Sequence, residues 1–395
     1  MLKYIIKRLF WFVPTLFAVT IIGFLLLAAA PGDPVNMMIS SPNSGGGMTS
    51  SDNIDVQKNF WRKQLGLDLP LFYFSICKLS EPDTLYKITD ETQLKTYKLL
   101  IENSGGYKNY IPKFVWYGFH NQYHRWLFGG VGTKGLVRGD FGLSFFKKIP
   151  VIEIVKDKIV CSLILSILSI VFAYIISIPL GLKMAEKPFS RFTKTTEVIL
   201  FIMYSLPSFF VGVLLLMIFA NPDVISILPP SGIKPAGGYN DDASLLEKAI
   251  DSLPYIILPL VCYIYSSLAF ISRLTTASIN EQLSLDYIKT AKAKGLSDKQ
   301  VIYRHALKNS LLPLITVFSS LFPSIIGGSI IIESIFTIPG MGLETIQAIV
   351  SQDYPLVIAV LTLSACITIL SYLMADILYT WVDPRVRKSL KGHYE

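Results

Sequence analysis

Six long runs of uncharged, mostly apolar residues punctuate the chain: Phe10–Ala30, Ile159–Leu182, Val198–Ala220, Leu253–Ser272, Ser310–Ile332 and Tyr354–Ala375. None contains a Lys, Arg, Asp or Glu. A hydrocarbon layer about 30 Å thick takes about 20 helical residues, and within it only a helix satisfies each backbone hydrogen bond from inside the same segment. The pattern therefore predicts an all-α integral membrane protein with six transmembrane helices. Pro179, Pro207, Pro254, Pro259, Pro313 and Pro323 fall in these runs, so kinks are expected at the interior ones. The first run follows Lys3, Lys7 and Arg8 and ends in Ala28-Ala29-Ala30, a layout that secretory signal peptides share. Its 21 uncharged residues exceed an ordinary signal core, which favours a retained helix.

The polar intervals orient the runs. Lys183–Glu197 carries four basic residues against two acidic, and Arg273–Asn309 carries seven against three. Asn221–Ser252 holds two Lys against five acidic residues, and Glu333–Asp353 has no Lys or Arg. Short cytoplasmic loops are the Lys/Arg-rich ones, so the first two intervals are expected inside and the other two outside. Six spans then bring both termini to the cytoplasm, in accord with Lys3, Lys7 and Arg8 at one end and Arg385, Arg387, Lys388 and Lys391 at the other. The interval 31–150 is external by this topology; loops of that length cross regardless of charge. Its Trp61, Tyr73, Tyr86, Tyr97, Tyr107, Trp116, Tyr123 and Trp126 predict a small folded subdomain rather than a linker. The Ser/Gly-rich composition of 40–53 favours a mobile stretch.

Composition agrees with a bilayer protein: 52% of the 395 residues are hydrophobic and 16% charged, with a mean hydropathy of +0.50. The net charge of +8 is accounted for by cytoplasmic loops, so no nucleic-acid partner is expected. Cys77, Cys161, Cys262 and Cys366 show no metal-ligand or redox spacing and read as small buried apolar residues. His120 and His124 are close in sequence, but no Cys or third His lies near enough to complete a metal site. The chain has no Gly-x-x-x-x-Gly-Lys-Ser/Thr loop to cradle nucleotide phosphates, so it is read as a non-enzyme without its own cofactor. The uncharged runs leave no intramembrane proton relay of the kind secondary transporters use. They also lack the motif sets of intramembrane hydrolases.

The interval between the fourth and fifth runs carries the most specific pattern. Tyr287 to Lys294 is rich in helix formers and ends at Gly295, suited to the left-handed position past a helix C-terminus. Ser297 with Gln300 three residues on forms a capping box for a second helix, which would carry Val301, Ile302 and His305 toward the membrane. A basic surface helix could simply attract anionic headgroups. The residues are more specific than that. Asp286 through Gly295, extended by Arg304-His305-Ala306-Leu307 and Asn309, resemble the EAA loop in the form seen in the dipeptide, oligopeptide and nickel ABC transporter permease family. Against the generic Glu-Ala-Ala pattern only Ala291 and Gly295 match. Tyr4 to Leu9, Pro31 to Pro34, Gly139 to Ser144, Glu333 to Gly342, Asp353 to Pro355 and Asp383 to Arg385 are similar to the same family, whereas about 40–138 show no such likeness.

The resemblance implies a type I ABC importer permease fold and a first-listed permease subunit. It implies as partners a second homologous permease, two ATP-binding subunits that use ATP and Mg, an external solute-binding protein and the lipid bilayer of a bacterial inner membrane. It divides the chain into a tail and first helix (1–30), an external segment (31–150), a permease core (151–380) with a coupling loop at 273–309, and a cytoplasmic tail (381–395). Coupling to the ATPase falls to Asp286, Tyr287, Thr290, Ala291, Lys292, Gly295 and Arg304. Glu333, Pro339 and Gly340 are expected at an external gate or at a contact with the binding protein. Peptide is preferred over nickel as the substrate because of the incomplete histidine set.

Overall fold

The computed structural model describes residues 2–28, 35, 39, 51–88, 91–130, 134–235, 237–240 and 242–382. In chain order its main elements are α1 (Leu2–Ala28), α2 (Ser51–Leu65), β1 (Phe74–Lys78), α3 (Glu91–Ser104), β2 (Pro112–Trp116), α4 (Gln122–Phe128), α5 (Val151–Glu186), α6 (Arg191–Ser205) and α7 (Ser208–Phe219). They continue with α8 (Leu245–Leu283), α9 (Asp286–Ala293), α10 (Asp298–Val301), a π-helical turn (Ile302–Ala306), α11 (Leu307–Gly327), α12 (Ile330–Ile335), α13 (Met341–Val350) and α14 (Tyr354–Val382). Among the described residues four helices are long and apolar enough to cross a membrane, lying in α1, α5, α8 and α14. The pair α6–α7 makes a fifth if its two halves form one span.

The chain forms two compact units. The described residues of the first are 2–17, most of 155–347, and 360–382. Within it α5 and α8 run side by side in the same direction: Leu165 packs with Leu258 and Cys262, Ser177 Oγ donates to Leu268 O at 3.2 Å, and Gly181 lies against Thr275. A Cβ on Gly181 would sit 2.6 Å from Thr275 Cβ, so the missing side chain sets how closely these helices approach. α11 runs the opposite way, since Tyr174 OH donates to Leu314 O at 2.8 Å while Leu182 and Ala185 pack with Ile302 and Ala306. The α6–α7 pair is also antiparallel to α8, with Leu200 beside Ala269 and Gly212 beside Cys262. Arg8 on α1 forms an ion pair with Asp376 on α14.

Three expectations change here. The third run is not one rod: α6 ends at Ser205, α7 starts after Pro207, and the two halves bend by 99°. Pro207 lacks the N–H that would continue the helix and instead heads α7, its carbonyl accepting from Val211 N. The fifth run is interrupted as well; α11 stops at Gly327, Gly328 takes a φ of +59°, and Ser329 caps α12 through Ile332 N. Residues 330–332 therefore belong to a separate short helix rather than to the span. Of the cysteines only Cys262 is fully buried, the other three being half-buried, and all are free thiols.

The second unit, whose described residues fall in 18–154 and 348–359, corrects the all-α expectation. β1 and β2 pair antiparallel with Phe74 opposite Trp116 and Ile76 opposite Phe114. Asn121 caps α4 by accepting from His124 N at 2.8 Å. That helix rests on the end of α1: Thr20 Oγ1 and Tyr123 OH share a 2.9 Å hydrogen bond, and the Phe24 ring lies 5.4 Å from Tyr123 and 5.9 Å from Trp126. Asp353 accepts from Ser144 Oγ and, at 2.9 Å, from Phe145 N.

Candidate functional site

The loop between α8 and α11 folds as a two-faced device. α9 begins after the extended Leu285 with Asp286 in its first turn, where a carboxylate suits the helix dipole. Ile288 and Ala291, three residues apart and so on one face, are buried in a cluster with Leu182 and Ala185 of α5, Ile279 of α8, and Val301, Ile302 and Ala306. Asp286, Tyr287, Lys289, Thr290 and Lys292 face out. The expected docking residues therefore separate: Asp286, Tyr287, Thr290 and Lys292 lie on the open side, whereas Ala291 roots the helix.

Polar contacts brace this arrangement. Tyr287 OH donates to Gln282 Oε1 at 2.8 Å and accepts from Asn309 Nδ2 at 3.1 Å, tying α9 to the end of α8 and the start of α11. Lys289 pairs with Asp286 and Lys292 with Asp298, both at 2.8 Å. Exposed pairs of this kind contribute about 0–1 kcal/mol each. Gly295 has a φ of +82°, the left-handed conformation anticipated past the helix end, and is open to solvent. The Ser297–Gln300 capping box is present, with Ser297 Oγ accepting from Gln300 N and Gln300 Oε1 from Ser297 N. The helix it starts does not end before the membrane, however. α10 passes through the π turn directly into α11. Arg304 is exposed on that π turn, a wide segment of the sort found where helices carry function.

A second arrangement surrounds Glu333. Its side chain is wholly buried and accepts from Ser162 Oγ at 2.8 Å and Leu343 N at 3.0 Å, with a further bond from Gly342 N. Ser162 Oγ in turn accepts from Met341 N at 2.8 Å, and Tyr263 OH accepts from Ser329 N at 2.8 Å. Glycines make the room. A Cβ on Gly328 would fall 2.1 Å from Glu333 Oε1, and one on Gly340 would fall 2.5 Å from Oε2. The turn leading to Pro339 holds Thr337 at a φ of +51°, unusual for a branched residue. Among the described residues no basic group pairs with Glu333. Burial pushes its carboxyl above the ordinary range, opposed by the donors of Leu343, Ser162 and Gly342. A carboxylate so enclosed has no surface to offer a docked protein; it holds 338–343 against α5. Pro339 is half-buried and Gly340 buried in the same turn. Ser162 and Tyr263 were not foreseen, because nothing local to them marks a partner about 70 to 170 residues away.

Among the described residues no group of three His, Cys, Asp or Glu is placed to hold a metal. His124 Nδ1 instead meets Tyr73 OH at 3.1 Å.

The family model for binding-protein-dependent transport system inner membrane components matches residues 177–388. The chain is 31% identical to the oligopeptide transport system permease protein AppB of Bacillus subtilis (strain 168), over 98% of this chain and 99% of that one. It is 30% identical to the peptidoglycan transport system permease protein YejB of Agrobacterium fabrum, over 97% of each. Against the dipeptide transport system permease protein DppB of Escherichia coli (strain K12) it is 29% identical over 98% of this chain and 99% of that protein.

Proposed function

Because the chain belongs to the family of binding-protein-dependent transport system inner membrane components, we propose that it forms the membrane path for di- and oligopeptides in an ATP-driven importer, coupled to an ATPase subunit through the open face of α9. The names of the three relatives, for oligopeptide, peptidoglycan and dipeptide transport, support a peptide-type substrate. The assembly we infer has this chain beside a second homologous permease, two ATP-binding subunits that use ATP and Mg, and an external solute-binding protein.

The six spans of this reading are α1, α5, α6–α7, α8, α11 and α14. The parallel course of α5 and α8, with α6–α7 and α11 opposed to them, is what an alternating path requires of the second to fifth spans. The Arg8–Asp376 pair supports termini on one side, and the basic loops favour the cytoplasm for that side.

The observation that carries the coupling reading is the division of α9 into a rooted face and an open face. Ile288 and Ala291 bind it to the inner ends of α5 and α8 and to the helix that becomes α11, so a push on Asp286, Tyr287, Thr290 or Lys292 is passed to three spans at once. Close packing transmits such a displacement rather than absorbing it. Gly295 and Arg304 border the same surface. At the other end, Glu333, Pro339 and Gly340 form a latch at the external gate, which opens when the bonds to Ser162 and Leu343 are released.

The test is the double variant Asp286→Lys, Gly295→Pro, assembled with its partner subunits. The expected result is loss of ATPase co-purification and of ATP-dependent peptide uptake in proteoliposomes. Wild-type levels of both would refute the docking surface. Uptake driven by a proton gradient without ATP would refute the importer.

A further inference from the structure

We propose that the outward face of the β1–β2 hairpin, formed by Phe74, Ile76, Phe114 and Trp116, lies in the headgroup–acyl boundary of the bilayer beside the C-terminal end of α1. Side chains alternate across a strand, and the register of Phe74 with Trp116 and Ile76 with Phe114 puts all four on one side. Val115, on the other side, is buried. All four are exposed, Ile76 at 72%, Phe114 at 62% and Trp116 at 61%, with Phe74 at 40%. A contiguous apolar sheet face of this kind normally has an occupant.

Continuity with the membrane span indicates which one. Thr20 and Phe24 belong to the apolar stretch Arg8–Leu26. At 1.5 Å per residue they sit about 9 and 3 Å short of its end. Tyr123 bonds to Thr20 and packs on Phe24, so α4 reaches the depth of the span itself. From there the rings run outward without a gap. Tyr123 lies 6.0 Å from Tyr73, and Tyr73 stacks on Trp116 at 6.3 Å. Phe74 then stacks on Phe114 at 5.3 Å. The exposed face thus starts about 12 Å from a residue held inside the span, and the interfacial layer beyond the hydrocarbon is itself about 5–7 Å thick.

The chemistry suits that layer. Aromatic side chains gather at the membrane–water boundary, and Lys extends its ammonium from it toward water. Along this face the aromatic residues lie toward the span, and Lys78, opposite Pro112, closes the far end. The placement holds for either orientation of the chain, because it is referred to α1 alone.

The experiment compares the full-length chain, with its co-purifying subunits, with a Trp116→Phe variant in phosphatidylcholine nanodiscs. The difference between the two spectra is the emission of Trp116. Phosphatidylcholine brominated on the upper acyl carbons should remove most of that difference emission, and aqueous acrylamide should leave most of it. Quenching by acrylamide but not by bromolipid would overturn the proposal. So would protection from both quenchers only when a binding protein or second permease is present, which would give the face to a protein. An Ile76→Glu, Phe114→Glu variant should red-shift Trp116 and lose the bromolipid quenching; retention of both properties would equally count against insertion. If that variant does not fold, the Trp116→Phe comparison still decides.

Discussion

Replacing Glu333 tests whether the buried carboxylate is a latch or merely a tolerated polar group. Its two oxygens receive different donors. Oε2 faces Leu343 N, and Oε1 faces Ser162 Oγ and, at 3.5 Å, Tyr263 OH. In Glu333→Gln the amide can keep its oxygen toward Leu343 and turn its NH2 toward Ser162, whose oxygen can accept a second bond beside the one from Met341 N. The Ser162 hydroxyl proton is then stranded, and so is that of Tyr263, whose bond to Oε1 is long at 3.5 Å, a joint cost of about 1–3 kcal/mol. Glu333→Ala strands those protons and also the N–H groups of Leu343 and Gly342, and leaves a cavity among Gly328, Gly340 and Gly342. With about 1–3 kcal/mol for each of the Ser162, Leu343 and Gly342 donors and little more for the long Tyr263 contact, the alanine variant should lose about 3–9 kcal/mol.

At about 2 °C per kcal/mol for a chain of this size, the expected falls in melting temperature are about 2–6 °C for Gln and about 6–18 °C for Ala. A thiol-reactive fluorophore can follow the transition, since Cys262 is fully buried in the core beside Ile332 and Phe336. Equal falls for the two variants would show that the donors are satisfied elsewhere and that the bonds to Ser162 and Leu343 hold nothing. A Glu333→Ala protein as stable as wild type would refute the latch outright.

Other variants probe separate steps of the argument. Gly181→Ala drives a Cβ to 2.6 Å from Thr275, so α5 and α8 must part at a cost of about 1–3 kcal/mol, read by the same melt; Thr275→Ser should restore part of the loss. Ser297→Ala removes one bond of the capping box and should weaken the start of α10 by about 1 kcal/mol, seen as faster amide exchange at Asp298–Val301 with α8 unaffected. Asp353 titrates above the ordinary range because it is buried. Its protonated form therefore suits the folded state better than the unfolded one, and stability present at low pH is lost as pH rises through the raised value. Asp353→Asn should flatten that dependence when melting temperature is measured from pH 4 to pH 8, and an unchanged slope would show that Asp353 is not its source.

What could be read in advance follows from how local the physics is. The apolar runs and the basic loops report a solvent, and a bilayer imposes its demand on each span separately, so α1, α5, α8 and α14 were legible one by one. The Gly295 turn and the Ser297 cap were legible for a similar reason, being satisfied within a few residues. The break at Gly327–Gly328 was not, since two glycines among Ile and Ser look like ordinary small residues of a membrane helix. The need for Gly328 arises from Glu333, which also requires close approach at Gly340 and Gly342 and a serine from α5. Pro207 announced a kink, but its 99° size depends on the packing of α6 and α7 against α8.

Ala291 shows where a motif and a fold diverge. It shares a sequence pattern with Asp286 and Lys292, and a pattern does not distinguish the residues that touch a partner from those that hold the touching surface still. The spacing of Ile288 and Ala291 carries that distinction: three residues apart, both small or apolar, in a helix whose other positions, the terminal Ala293 excepted, are charged or polar. A docking helix needs both sets, because contacts on a helix free to roll would pass no force onward. Lengthening Ala291 to Leu would press on the cluster of Leu182, Ile279 and Val301 without altering a single exposed group, and it is the change by which transmission is separated from binding. The ATPase subunit should remain bound while transport per ATP hydrolysed falls; loss of binding instead would place Ala291 on the contact surface after all.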